Sequence, residues 1–331
     1  MTQPDLVDPF GRTISYLRLS VTDRCDFRCT YCMAEDMTFV PRKQLLSLEE
    51  LAFIAETFIE LGTKRIRITG GEPLIRRDVT TLMSDISRHN GLEDLAITTN
   101  GSHLAQYAEA LFSAGVTRIN ISLDSLDNAQ FKALTRTGEL DRVLAGIEAA
   151  RQLPFKKIKL NTVALRGFND HELVDLVAFA SERQLDISFI EEMPLGETTA
   201  HNRKDAFLSS EEIRDTLAKY YTLGASTLET GGPSRYWRVA GSDTHIGFIS
   251  PHSHNFCSSC NRVRLTAEGR LLMCLGNEHS VDLRAVIRRH PFDKEPLIDA
   301  IKYGLTIKPE RHHFNLDEAP QILRFMNATG G

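Results

Sequence analysis

Six cysteines fall into two groups and nowhere else: Cys25, Cys29 and Cys32 in the spacing CxxxCxxC, then Cys257, Cys260 and Cys274. Thiols clustered in this way read as metal ligands or redox groups rather than as a disulfide framework. Three thiolates leave one position of a metal centre unclaimed by protein, and reactive chemistry needs such a vacancy. An iron–sulfur cluster held by either group would present one iron to a small molecule. For the second group the spacing leaves another reading open, a structural zinc site completed by His252, His254 or His279. Arg262 and Arg264 flank Val263 just after Cys260. On an extended segment they project to one side, as two forked guanidiniums suited to a phosphorylated ligand. A solvated charge pair on an edge strand is the plainer alternative.

Other candidates carry less on their own. Gly70-Gly71-Glu72-Pro73 ends a strand-like run, and two glycines let backbone approach a ligand closely. Met193 reads as core packing as readily as a cofactor contact. His312 and His313 are adjacent, cannot share one helical face, and read as surface or loop. Gly330-Gly331 reads as a frayed terminus.

The elements that must position these groups are legible in the hydrophobic periodicity. Short β-branched runs at Tyr16–Val21, Arg65–Thr69, Asp94–Thr99, Arg118–Leu123, Lys157–Val163 and Ile187–Glu191 predict strands. Amphipathic stretches between them predict helices near Ser47–Leu61, Asp78–Arg88, His103–Ala114, Asp141–Leu153 and Asp170–Arg183. The first opens on a capping box, Ser47 with Glu50. Six such units predict an α/β fold, an incomplete (β/α)6 TIM-like barrel, followed by a smaller C-terminal iron–sulfur domain. The domain boundary falls between 8–195 and 196–331.

The strands alternate aliphatic and polar. Leu17, Leu19 and Val21 oppose Tyr16, Arg18 and Ser20; Ile66 and Ile68 oppose Arg65 and Arg67. Leu95 and Ile97 oppose Ala96 and Thr98, and Ile158 and Leu160 oppose Lys157 and Lys159. If the aliphatic face packs on helices, the barrel interior becomes a polar, cationic cavity for an anionic ligand. The sixth strand has no clean polar face.

Composition bounds the rest. The chain has 331 residues, 42% hydrophobic and 25% charged, with a formal net charge of −5. That balance gives no reason to expect nucleic acid or an anionic membrane as partner. No apolar run approaches the roughly 18 residues of a membrane span. Residues 1–11 lack the apolar stretch of a secretory signal, so the expected compartment is the cytoplasm.

With these motifs in hand, the chain resembles the radical S-adenosylmethionine (SAM) superfamily, and within it the GTP 3′,8-cyclase family of molybdenum cofactor biosynthesis. The resemblance is carried by Asp8–Met33 (DPFGRTISYLRLSVTDRCDFRCTYCM), by Arg65–Arg77 with its GGEP and by Ile97–Gly101 (ITTNG). It continues through Asn120–Asp124 (NISLD), Lys159–Val163, Phe189–Pro194, Cys257–Leu265 and the final Gly-Gly.

It implies a lyase with two [4Fe–4S] clusters, one on Cys25, Cys29 and Cys32 and one on Cys257, Cys260 and Cys274. Tyr31, Gly71, Ser122 and Met193 match SAM-contacting positions. Arg18, Arg67, Thr98, Lys159, Arg262, Val263 and Arg264 match GTP-contacting positions, and Gly330-Gly331 a tail that reaches the active site. Chemistry is carried by the clusters and SAM, with no acid/base residue in the usual sense. The implied partners are GTP, an electron donor, a downstream cyclic pyranopterin monophosphate synthase and a second copy in a homodimer.

Two departures stand out. The family pattern has arginine where this chain has Ser188, so one phosphate contact is missing or comes from a neighbour such as Arg65. Ala34 stands where proline is usual. The rival readings are a peptide-modifying radical enzyme with an auxiliary cluster, and a non-enzymatic electron-transfer or zinc-stabilised protein.

Overall fold

The computed structural model describes residues 6–196, 201–318 and 322–330. Six parallel strands form its centre, neighbours in sequence order: β1 (Tyr16–Ser20), β2 (Arg65–Thr69), β3 (Asp94–Thr99), β4 (Arg118–Ser122), β5 (Lys157–Ala164) and β6 (Asp186–Glu191). Helices α1 (Leu48–Glu60), α2 (Val79–Ser87), α3 (Leu104–Ser113), α4 (Asn128–Thr135), α5 (Leu140–Arg151) and α6 (Leu173–Glu182) make the crossovers. The capping box opens α1 as read from the sequence. Ser47 Oγ accepts from the Glu50 N–H, and the Glu50 carboxylate accepts from the Ser47 N–H.

The strand faces divide as the alternation predicts. Leu17, Leu19, Ile66, Ile68, Ile97, Ile119, Ile121 and Leu160 are fully buried in one core with Leu51, Ile54 and Phe58 of α1 and Leu82 and Ile86 of α2. Each such side chain contributes roughly 1.5–3 kcal/mol by leaving water, so the helices are fixed to this face and the polar residues turn inward.

The C-terminal region does more than follow the barrel. It continues the same sheet at both edges. β9 (His245–Ile249) pairs parallel with β6 and carries β8 (Arg235–Val239) and β7 (Leu223–Ala225) antiparallel beyond it. β10 (Arg262–Leu265) pairs parallel with β1 and carries β11 (Arg270–Leu272) and β12 (Ser280–Asp282). The sheet thus holds 12 strands in the order β12-β11-β10-β1-β2-β3-β4-β5-β6-β9-β8-β7. Arg262 and Arg264 therefore lie on a strand paired on both sides, between β1 and β11, which removes the edge-strand alternative. Helix α4 escapes the strand-helix rhythm of the sequence because it shares one crossover with α5.

Candidate active site

The cysteine loop leaves β1 and is braced from three sides. Beneath it lies the Gly70-Gly71 turn after β2: the Gly71 N–H donates to Thr22 O at 2.7 Å and the Glu72 N–H to Arg24 O at 2.8 Å. A Cβ at Gly71 would sit 2.2 Å from Arg24 O, and one at Gly70 2.7 Å from Thr22 O. The glycines therefore admit the cysteine loop's own backbone, where the sequence suggested close approach to a ligand; Gly71 still borders the cavity.

The second brace is Glu72, fully buried, which accepts from Thr99 Oγ1 at 2.8 Å and from the Asn100 N–H at 2.7 Å. Burial raises its carboxyl to about 7, against the pull of hydrogen bonds from Asn100, Leu74 and Thr99. Asn100 Nδ2 in turn donates to Asp26 at 2.7 Å, beside Cys25. The third brace is the end of α4, whose Thr135 and Leu134 carbonyls accept from the Arg28 and Thr30 N–H groups at 3.0 and 2.9 Å. The sequence periodicity did not mark this helix; its N-cap, Asp127 accepting from the Gln130 N–H, is the local signal that could have found it.

Burial pushes all three thiols of this loop up, Cys32 to about 12, so they become thiolates only when a cation stabilises them. Tyr31 donates its hydroxyl to Asp124 at 2.6 Å, and Asp124 also accepts from the Val163 N–H at 2.8 Å.

All six cysteines are free and line a single cavity of about 270 Å³. Tyr31, Gly71, Ser122 and Met193 line it, as do Arg18, Arg67, Thr98, Lys159, Arg262, Val263 and Arg264. Register explains the arginines: Arg264, Arg18 and Arg67 are Cα partners across β10, β1 and β2. Burial, Arg264 and Arg67 lower the Arg18 pKa, and burial with Arg262 brings Arg264 to about 9. The Nε atoms of Arg18 and Arg67 and the Thr98 hydroxyl are buried without a hydrogen-bond partner. Adjacent like charges with unsatisfied donors are costly to a fold unless an anion joins them.

Comparison with known proteins decides the family. Residues 19–180 match the radical SAM superfamily and residues 185–314 the Molybdenum Cofactor Synthesis C family. The GTP 3′,8-cyclase of Pseudomonas putida strain GB-1 is 62% identical over 327 residues, 98% of each chain. That of Marinobacter nauticus is 59% identical over 331 residues, all of both chains. The chain belongs to the GTP 3′,8-cyclase family. Streptococcus suis SuiB bound to S-adenosylmethionine shares the fold, with a TM-score of 0.61 at 17% identity over 96% of this chain and 77% of that one. Membership of the radical SAM superfamily brings with it a [4Fe–4S] cluster and SAM.

In this GTP 3′,8-cyclase family member Cys257 and Cys260 sit just before β10, and Cys274 just after β11. Burial raises Cys257 and Cys274. At Cys260 burial is outweighed by Arg262 and Lys308, which bring the thiol down to about 7. Two of the three histidines offered for a zinc site set one ring nitrogen against a backbone carbonyl. His252 Nε2 lies 2.9 Å from Glu192 O, His279 Nδ1 is 3.3 Å from Ile307 O, and His254 is exposed. Among the described residues, no three His, Cys, Asp or Glu side chains converge tightly enough for a single metal ion.

His312 lies in a loop, one of the two settings read from the sequence, but not on the surface. It is buried, lines the cavity beside Cys257, and stacks on Phe314 at 4.2 Å. Nothing in its sequence context signalled this. Glu191 was also missed as a functional group: fully buried, it accepts from the Ser210, His252 and Ser253 N–H groups and so ties the loop leading to Cys257.

The C-terminal tail reaches the same place. Arg264 Nη1 donates to Gly330 O at 2.6 Å, Asn327 Nδ2 to Asp23 O at 2.9 Å, and the Met326 N–H to Cys32 O at 3.2 Å. A Cβ on Gly330 would lie 2.5 Å from Thr69 Oγ1, so only glycine fits that approach. The other residue of the pair, Gly331, lies outside the described residues.

Proposed function

We propose that the chain is a radical SAM GTP 3′,8-cyclase, converting GTP to (8S)-3′,8-cyclo-7,8-dihydroguanosine 5′-triphosphate, the first step of molybdenum cofactor biosynthesis. One observation carries the reading: both cysteine triples and the arginine row of β10, β1 and β2 face one cavity. The donor set suits its occupants. Free, largely half-buried thiols fit clusters, and the unpaired Nε groups of Arg18 and Arg67 fit a nucleotide's phosphates.

Cys25, Cys29 and Cys32 would hold the first cluster, with Tyr31, Gly71, Ser122 and Met193 around SAM. Cys257, Cys260 and Cys274 would hold the second, leaving one iron open for the guanine. When bound, the first cluster and SAM supply the one-electron chemistry that removes a hydrogen atom from C3′ of the ribose. The chain's residues fix which hydrogen is reached. Arg18, Arg67, Lys159, Arg262 and Arg264 hold the phosphates while Thr98 and Val263 border the nucleotide. The second cysteine loop sets the base so that C8 faces C3′, where the new bond forms. The Gly330 tail, bonded to Arg264, excludes water from that bond-forming site.

The assignment carries partners with it: an electron donor, the synthase that forms cyclic pyranopterin monophosphate, and a second copy in a homodimer. Six free thiols suit the reducing cytoplasm. No helix of the described residues is long and apolar enough to cross a membrane. We assign the cluster–SAM chemistry to residues 8–195 and the second cluster, much of the substrate site and the tail to 196–331. Anaerobically reconstituted protein given SAM, GTP and a strong reductant should yield 5′-deoxyadenosine and a cyclised nucleotide, with about eight irons per chain. Formation of 5′-deoxyadenosine without any dependence on GTP, and with no new nucleotide, would overturn the assignment.

A further inference from the structure

Behind the second cysteine group lies a buried cation that does not line the cavity, Lys308, only 3% exposed. Its ammonium donates to Arg262 O at 2.9 Å and to Met273 O. Arg262 lies two residues after Cys260, and Met273 immediately before Cys274. Arg264 and Leu272 are the Cα partners of β10 and β11 nearest to these thiols, and Lys308 bridges the two chains just beyond them. The helix Lys294–Thr306 delivers it. Leu297, Ile301 and Leu305 bury that helix in the core, and just past its end the Lys308 N–H donates to Leu305 O at 3.1 Å. At Gly304 the helix runs so close that a Cβ would lie 2.6 Å from Met273 Cε.

Anchoring alone does not account for a charge at this place. Two carbonyls need donors, and a neutral amide or a bound water supplies them without the cost of burying an ammonium. Lysine is almost never buried unless paired, and Lys308 has no ion pair among the described residues. The Asp8 carboxylate, which acts on it, is already taken by Arg12. The main charges left to oppose it are thiolates: burial lowers the Lys308 pKa, and Cys260 and Cys274 do most to raise it. A [4Fe–4S] core on three thiolates gains one negative charge when it takes up an electron. A fixed cation beside it, little screened by water, favours that reduced form. Net charge and hydrogen bonding around a cluster set its potential.

We propose that Lys308 sets the reduction potential of the second cluster, its ammonium making that cluster easier to reduce than a neutral side chain would leave it. The proposal rests on Cys257, Cys260 and Cys274 holding a [4Fe–4S] cluster. Lys308 is a positioning residue that acts through these cysteines, not a substrate contact. The step it biases is the transfer of one electron: an external reductant loses it, and the cluster passes from [4Fe–4S]²⁺ to [4Fe–4S]⁺ with no bond made or broken.

Potentiometric titration with a low-potential chemical reductant, followed by electron paramagnetic resonance, tests it on anaerobically reconstituted wild type, Lys308→Gln and Lys308→Arg. S-adenosylhomocysteine, bound at the first cluster, distinguishes that signal from the signal of the second. Lys308→Gln is neutral but still donates to a carbonyl. It should lower the second cluster's midpoint by about 59 mV, a tenfold change in the ratio of oxidised to reduced cluster, and leave the first cluster's midpoint in place. Lys308→Arg keeps the charge and should restore most of the wild-type midpoint. An unmoved midpoint in Lys308→Gln, equal shifts in both variants, or loss of the second cluster's iron from Lys308→Gln would overturn the proposal and leave Lys308 an anchor only. Wild type with about four irons per chain, or with zinc at Cys257, Cys260 and Cys274, would overturn the second cluster itself.

Discussion

Asp124 illustrates how a single residue serves the site at a cost to the fold. Its carboxyl receives the Tyr31 hydroxyl and the Val163 N–H, and so fixes the aromatic ring beside Cys32. Burial raises its pKa from 3.8 to about 6, against the two hydrogen bonds. Between those values the folded chain holds a proton that the unfolded chain releases. This group's contribution is therefore present at low pH and lost as pH rises through 6. Asp124→Asn keeps both bonds, since the amide oxygen accepts from Val163 and the amide nitrogen faces an oxygen able to accept. Unfolding free energies from urea titrations of the reduced, metal-free proteins from pH 4 to 8 should diverge by about 2–3 kcal/mol in favour of the variant as pH rises. A pH-independent difference would show that the carboxyl titrates alike in both states.

At the scale of elements, the loop between β1 and α1 has only one 3-10 turn, Arg42–Gln44, as regular structure, and its cysteine-bearing part takes its shape from what it touches. Gly71 is the tightest of these contacts. Gly71→Ala would put a methyl group 2.2 Å from Arg24 O, which is backbone and cannot swing aside. The two turns must separate, at roughly 1–3 kcal/mol. Because Thr22 and Arg24 lie within three residues of Cys25, the first cysteine triple should lose its iron while the proposed second cluster keeps its own. Iron content near half of wild type, with SAM binding lost in equilibrium dialysis, is the expected result. Full iron content would mean the loop tolerates the shift.

The same scale separates what the sequence reveals from what it conceals. The six central strands, the inward turn of Arg18, Arg67 and Lys159 and the Ser47 capping box follow from period-2 and period-3.6 alternation, which local sterics impose. β9 and β10 joining opposite edges of one sheet, the burial of His312 and the bridging of Arg262 and Met273 by Lys308 all depend on contacts between residues far apart in the chain. No local pattern encodes these. Gly70 and Gly71 were legible as required glycines, but their reason, the cysteine loop packed against them, needed the fold.

On the scale of the whole molecule, the two cysteine groups lie 225 residues apart, counting from Cys32 to Cys257, and must be held at a fixed separation. Pairing of β10 with β1 supplies part of that constraint, and Arg12 supplies another. Its buried guanidinium donates to Asp8, to Cys257 O at 2.8 Å, to Glu310 O at 2.6 Å and to Pro309 O at 2.7 Å. One side chain thus joins the segment before β1, the start of the second cysteine loop and the strand-free stretch that carries His312.

Arg12→Met preserves most of the stem's packing and removes every one of these bonds. Three carbonyls lose their donor, and the buried Asp8 carboxylate keeps only the backbone N–H groups of Phe10 and Arg12. Breaking a buried pair from one side costs about 3–5 kcal/mol. Because the sheet itself does not depend on Arg12, the loss should fall on the second loop. Hydrogen exchange should accelerate at residues 257–260 and 309–312, and the variant should keep the iron of Cys25, Cys29 and Cys32 while losing that of Cys257, Cys260 and Cys274. This is the reverse of the Gly71→Ala outcome, so the pair of variants separates the two sites. If Arg12→Met instead empties the first triple, or leaves exchange at 257–260 unchanged, the second loop is positioned by β10 alone and Arg12 serves only the N-terminal segment.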